Sequence, residues 1–293
     1  MLEPQILGGA HRDPIDERDH IYDKEAVGAF ELDWEKGFDV RDVIGADVFQ
    51  NNQGATMSCV GQGAAQYAWV LNIIELEKQY NCTYEELQQY HPNEIERMSA
   101  KAIYSMISLG RYKGAYIRDG ALQIKSWGSL MERFCPSYKP DGTTDEDWMI
   151  DQSWRTPDME ALAMVFKAKD AQVINNKTDI NVHGQAVIKN YGVLCGVDGA
   201  NGHGWGTERP TPPNQGEPTW GHCLYFAAFG TDEKGKFIAF PNSYGKIVQE
   251  TWKPGSKPGT GWQKIYEDYF LSGNVFNPWT ITDDTNQVSH LIQ

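Results

Sequence analysis

The run Ala64-Ala65-Gln66-Tyr67-Ala68-Trp69-Val70-Leu71-Asn72-Ile73-Ile74-Glu75-Leu76 constrains this chain more than any other segment. It is apolar on nearly every helical face, so it is expected to form a helix buried at the centre of the fold rather than one lying on a surface. Cys59 opens the run, in Gln53-Gly54-Ala55-Thr56-Met57-Ser58-Cys59. A cysteine at a helix start lies at the positive end of the macrodipole, which favours the nucleophilic thiolate. Gly61-Gln62-Gly63 follows at once. No strand of a βαβ unit precedes it, so its glycines suit close packing on the helix rather than a nucleotide site.

Around this helix the pattern divides in two. Residues 1–30 are polar and charged and read as an extended arm on the surface. Residues 31–142 read as a helical lobe. Within it Thr83-Tyr84-Glu85-Glu86 is a capping box, Ser99 caps a helix stopped by Gly110, and Asp119 caps one stopped by Gly128. Residues 143–272 read as a β-rich lobe. Helices are expected over 158–169 and 183–191, and strands over 193–197, 224–229, 237–240 and 262–266. The second and third strands face each other across Gly230-Thr231-Asp232-Glu233-Lys234-Gly235-Lys236 as a hairpin. The segment 198–219, rich in Gly, Pro, Asn and Thr, is a long loop of the kind that carries function. Residues 273–293 read as a C-terminal tail.

The 293 residues carry a formal charge of −14, which disfavours nucleic acid and anionic membranes as partners. No apolar run is long enough to span a bilayer, and Met1-Leu2-Glu3-Pro4-Gln5 lacks the regions of a signal peptide. A cytoplasmic or virion-associated location is therefore expected. The five cysteines (59, 82, 135, 195, 223) are odd in number and lack zinc spacing, so reduced thiols and no metal or other cofactor are expected. His203, in the long loop, reads as a solvated residue.

Cys59 belongs to the first lobe. Gly221-His222, leading into an apolar run, and Asn242-Ser243-Tyr244-Gly245, following another, belong to the second. A cysteine, a distant histidine and a distant asparagine in this order form a Cys/His/Asn constellation, which would sit in a cleft between the lobes. With Gln53 six residues before Cys59, Gly261-Trp262 downstream, and Gly114-Ala115-Tyr116-Ile117-Arg118-Asp119-Gly120-Ala121-Leu122 between them, the chain resembles the papain-like cysteine peptidases, most of all microbial or viral members without a long pro-domain.

The resemblance covers roughly residues 33 to 270 and implies an α+β, two-lobe fold: a helical N-terminal lobe, an antiparallel β-rich C-terminal lobe, and the active site between them. It implies a thiol endopeptidase acting on peptides or proteins. Cys59 would be the nucleophile, His222 its ion-pair partner and proton donor, and Asn242 the group that orients the imidazole. Gln53 would join the Cys59 backbone N–H in the oxyanion hole. Gly114 and Ala115 would offer backbone to the bound peptide, and Ile117 would line the main specificity pocket. Several positions depart from the family pattern. Ala115 replaces a second glycine, Tyr244 the tryptophan that shields the His–Asn bond, Thr56 a disulfide cysteine, and Val60 an aromatic residue. Two other readings accompany this one. One is a silent component of a larger assembly such as a virion, docked through the arm or the tail; the other is a Cys acyl-transferase or amidase. The residues do not decide whether the arm blocks the cleft or braces the lobes.

Overall fold

The computed structural model describes residues 8–22, 31–245 and 261–282. The chain opens with β1 (Ala10–His11), β2 (Phe38–Asp39) and α1 (Val40–Ile44). Helices then dominate, with α2 (Cys59–Tyr80), α3 (Tyr84–Tyr90), α4 (Ala100–Ile107), β3 (Ala115–Tyr116), α5 (Ile117–Ser126), α6 (Glu146–Ile150) and α7 (Pro157–Ala163). The second half holds β4 (Asp170–Val173), α8 (Ile180–Asn190), β5 (Val193–Gly199), β6 (Trp220–Phe226), β7 (Ala228–Asp232), β8 (Gly235–Pro241), β9 (Trp262–Tyr266), α9 (Glu267–Leu271) and β10 (Val275–Thr282).

Helix α2 is the central element. Every residue from Cys59 to Ile74 is buried, so its all-round apolar surface is matched by neighbours on all sides. Its C-terminus is closed by Asn81 in the left-handed region (φ 49°). On one side Gly61 lets α4 approach closely: a methyl there would lie 2.6 Å from Tyr104 Cβ. On another, Tyr67 stacks on Tyr225 of β6 at 4.8 Å. The Tyr67 hydroxyl lies among the carbonyls of Asn190, Gly192 and Ile281 and takes a bond from the Ile281 N–H. It ties the helix to the β-rich half. Tyr67→Phe should therefore leave buried backbone groups unpaired and cost about 1–3 kcal/mol, read from the midpoint of chemical denaturation.

Two antiparallel four-stranded sheets form the β-rich half, in the orders β4-β10-β5-β6 and β2-β7-β8-β9. Their inner faces pack on α8 and on a core that includes Val193, Cys195, Phe226, Ile238 and Phe240. The hairpin expected at 230–236 is β7–β8, with Asp232 opposite Gly235. The apolar run read as a single strand over 224–229 is two strands that part at Ala227: β6 pairs with β5, while β7 pairs with β8 and β2. The helix expected over 158–169 starts behind Thr156, ends at Ala163 and continues as one 3-10 turn. The helix placed at 183–191 starts at Ile180 behind an Asp179 cap, and Tyr191 itself takes the left-handed C-cap. Helix α5 starts at Ile117, so Asp119 lies in its first turn rather than at its cap.

The tail expected over 273–293 is corrected for its first part. Val275–Thr282 is an interior strand, paired with β4 on one side and β5 on the other. Its hydrophobic residues alternate too weakly with Asn277 and Pro278 to read as a strand, and tertiary pairing decides instead. Residues 283–293, and residues 1–7 and 23–30 of the arm, lie outside the described residues. Among the described residues no helix is long and apolar enough to cross a membrane. All five cysteines are free thiols.

Candidate active site

Cys59 is the first residue of α2 and is fully buried. The turn before it is held by its own side chains. Thr56 Oγ1 donates to the Gln53 carbonyl (2.7 Å) and pairs with Ser58 Oγ (2.7 Å), which in turn accepts from Gln62 Nε2 (3.0 Å). Gln53 is fixed at both ends of its amide. Nε2 donates to Thr56 O (3.0 Å), and Oε1 accepts from Ser243 Oγ (2.6 Å). The NH2 end thus faces the loop that carries Cys59. Backbone bonds from Gln53 N to Ser243 O (2.8 Å) and from Gly245 N to Asn51 O (2.9 Å) stitch that loop to the segment after β8.

A buried carboxylate that sequence reasoning missed completes the turn. Glu146 Oε2 accepts from the Met57 N–H (2.8 Å), while Oε1 accepts from the Tyr104 hydroxyl (2.7 Å). Its remoteness in the chain from Met57 gave no signal.

His222, at the start of β6, and Asn242, just after β8, meet because the chain crosses between the two sheets at Ala227. His222 Nε2 donates to Asn242 Oδ1 at 2.9 Å, and the Ser243 N–H adds a second bond to the same oxygen at 2.7 Å. His222 Nδ1 is buried and has no hydrogen-bond partner. Tyr244 stacks on the imidazole at 4.6 Å with 14° between planes, so it covers the pair as a larger ring would. Trp205 packs edge-on against the same imidazole, at 5.8 Å. The Cys59 thiol lies close to the backbone of Cys223, the residue after His222.

The groove segment lies alongside. Gly114 takes φ 68°, Ala115 is buried in β3, and Ile117 is fully buried as the first residue of α5. The arm, expected on the surface, instead enters this groove. β1 runs parallel to β3, with Ala10 opposite Ala115 and His11 opposite Tyr116. Gly9 O accepts from Ala115 N (2.8 Å). The fit is close on every side. A methyl at Gly9 would lie 2.0 Å from the Met57 carbonyl oxygen, one at Gly114 would lie 1.9 Å from Gly9 O, and one at Gly221 would lie 2.2 Å from Ala10 O. Beyond the groove Asp13 accepts from the Arg118 N–H (3.0 Å) and from Trp279 Nε1 (2.9 Å), and Asp16 pairs with the Arg118 guanidinium (2.5 Å).

Burial reverses the electrostatics expected of a helix-start cysteine. Burial pushes the Cys59 thiol up to about 11, against backbone hydrogen bonds from Cys223, Gly9 and Val60 that favour the thiolate. Burial likewise pushes the His222 imidazolium down to about 4, opposed by the bond to Asn242.

Solved structures share this architecture. Xylellain, a cysteine protease from Xylella fastidiosa, superposes with a TM-score of 0.67 at 17% identity, covering 95% of this chain and 97% of that one. The fold is that of the papain-like cysteine proteases. Procathepsin B S9 from Trypanosoma congolense gives a TM-score of 0.60 at 10% identity over 95% of this chain and 87% of that one. Bromelain from Ananas comosus, in complex with the E64 inhibitor, gives 0.55 at 15% over 85% and 99%. No family model and no curated protein matches the sequence.

Within this papain-like frame the structure brings Gln53, Cys59, His222 and Asn242 together, with Gly114, Ala115 and Ile117 along the groove. His203 stays apart, its ring bonded to Glu217 (2.8 Å) and Thr211 (3.2 Å) inside the long loop. Among the described residues no group of three or more His, Cys, Asp or Glu side chains has the geometry to hold a metal ion.

Proposed function

We propose that this chain is a thiol-dependent endopeptidase whose nucleophile is Cys59. The observation that carries this reading is the His222–Asn242 bond. It places the proton on Nε2 and leaves buried Nδ1 without a partner, as the nitrogen able to take a proton. In the reaction Nδ1 accepts the Cys59 proton and the sulfur adds to the peptide carbonyl carbon. The oxyanion is met by the Cys59 N–H and the Gln53 amide, which contribute about 2.7–4 kcal/mol per donor in comparable sites. The imidazolium then protonates the leaving amine, the C–N bond breaks, and an acyl-enzyme remains. Water, deprotonated by the same imidazole, hydrolyses the thioester and restores the thiol.

A second reading is supported by the arm. A cleft filled by residues 8–11 is inert until they leave, so the chain in this state is a covered peptidase. It would serve as a silent component wherever nothing displaces the arm. Mass-spectrometric mapping of products from a denatured protein substrate separates the readings. Free carboxyl and amine ends, lost with Cys59→Ala, are expected. Products capped by a second amine would show acyl transfer instead, and no products after the arm is displaced would show a silent fold.

A further inference from the structure

The long loop and strand β9 have a role that the four residues above do not cover. Gln263, on β9, is fully buried, and its Oε1 accepts from Asn242 Nδ2. Its Nε2 donates to the Trp205 carbonyl at 2.9 Å and to the Thr207 carbonyl. Both carbonyls belong to the loop after β5, and the Lys264 N–H bonds the same loop at Glu208 O (2.9 Å).

Carbonyl oxygens only accept, so the Gln263 amide has one orientation: NH2 toward the loop, oxygen toward Asn242. That oxygen only accepts in turn, so it requires the NH2 end of Asn242. The Oδ1 end of Asn242 is left for the imidazole, and an imidazole facing a pure acceptor carries its proton on Nε2. A flipped Asn242 would set Oδ1 against Gln263 Oε1 and Nδ2 against the Ser243 N–H, two repulsive contacts.

We infer that Gln263, held by the 205–207 loop, is a positioning residue that sets the orientation of the Asn242 amide and through it the tautomer of His222. It touches no reacting atom. The inference about the tautomer stands on geometry, and only its effect on rate rests on the peptidase reading.

The test is a long-range 1H–15N spectrum of the full chain, labelled at histidine and recorded at pH 8, where His222 is neutral. The native protein should show His222 as the pure Nε2–H tautomer. Gln263→Met keeps the volume but removes all three bonds, and should give a mixture of tautomers. Adding Asn242→Asp to it should restore the single tautomer, because a carboxylate has no donor end to misplace. In a Gly9→Ala background, where the added methyl has no room beside the Met57 carbonyl and displaces the arm from the groove, Gln263→Met should lower kcat roughly tenfold to a hundredfold with KM unchanged, the size seen when the outer partner of a ligating histidine is removed.

An unchanged tautomer in Gln263→Met would mean that the Ser243 N–H alone orients Asn242, and the inference fails. A mixture that persists with Asn242→Asp would mean that Gln263 acts through packing, and the inference also fails. If the parent shows no turnover, the peptidase reading falls while the spectra still decide the role of Gln263.

Discussion

Replacing Gly9 with alanine should uncover Cys59 and switch on reactivity in an otherwise intact chain. The added methyl has no room, since the atom it meets at 2.0 Å is the Met57 backbone oxygen, which is anchored through the Met57 N–H to buried Glu146. The arm is the side that yields, because at the groove its backbone pairing with β3 spans only two residues, while its other ties, from Arg12 and Asp13 to Tyr22, lie beyond the groove and can hold while residues 8–10 move out. Relief from burial then acts on the thiol. In the covered chain Cys59 sits near 11, against an ordinary value of 9.0. A thiolate fraction far below the pKa falls tenfold per unit, so a return to the ordinary value raises it about 100-fold at neutral pH, before any stabilisation by His222. Alkylation of Cys59 with iodoacetamide, followed by peptide mass spectrometry, should rise by about that factor in Gly9→Ala. In the native chain the alkylation rate should keep climbing with pH toward 11. Equal rates in the two proteins would mean that the arm does not cover the site in solution.

The second large effect is graded across the site and is read in the same Gly9→Ala background. His222→Ala should reduce kcat for peptide hydrolysis by roughly four to six orders of magnitude, the range found when a nucleophile loses its base. Asn242→Ala should cost less, about a hundredfold, because asparagine contributes no charge and only holds the imidazole in place. Its effect should fall on kcat rather than KM, since Asn242 lies buried behind His222 and away from the groove. The order matters more than the absolute values. If Asn242→Ala cost as much as His222→Ala, the asparagine would have a larger part than orientation.

The physical reason for what was legible in the sequence is the range of the forces involved. Helix α2 was readable because thirteen residues in a row, 64–76, carry an all-round apolar pattern that suits no surface element. The capping box at Thr83 and the β7–β8 hairpin are local devices whose partners lie within a few residues, and both form where their residue types place them. The boundaries of α5 and α8 slipped by two or three residues, because Asp and Gly offered competing caps and stops.

What the sequence did not reveal depends on distant pairing. β10 is a strand because β4 and β5 receive it on both sides, and its own pattern is broken by Asn277 and Pro278. The arm reads as a solvated segment because of Arg12, Asp13, Asp16 and Asp19. Only the structure shows that Gly8-Gly9-Ala10, a stretch of small residues, threads between Met57, Gly114 and Gly221. Gln263 and Glu146 are single polar residues in unremarkable surroundings. Their burial, not their type, marks them: a fully enclosed amide or carboxylate must find partners, and both find them in the turns around Cys59 and His222.

The most direct measurement is stoichiometric labelling of the Gly9→Ala protein by an epoxide inhibitor of papain-like enzymes, located by peptide mass spectrometry and repeated with His222→Ala added. The expected result is one label per chain, on Cys59, lost in the double variant while iodoacetamide still reaches the thiol. That would mean an open groove and a thiol activated by His222. A Cys59 that iodoacetamide reaches but the epoxide does not, or epoxide labelling that persists without His222, would contradict a peptidase site at Cys59.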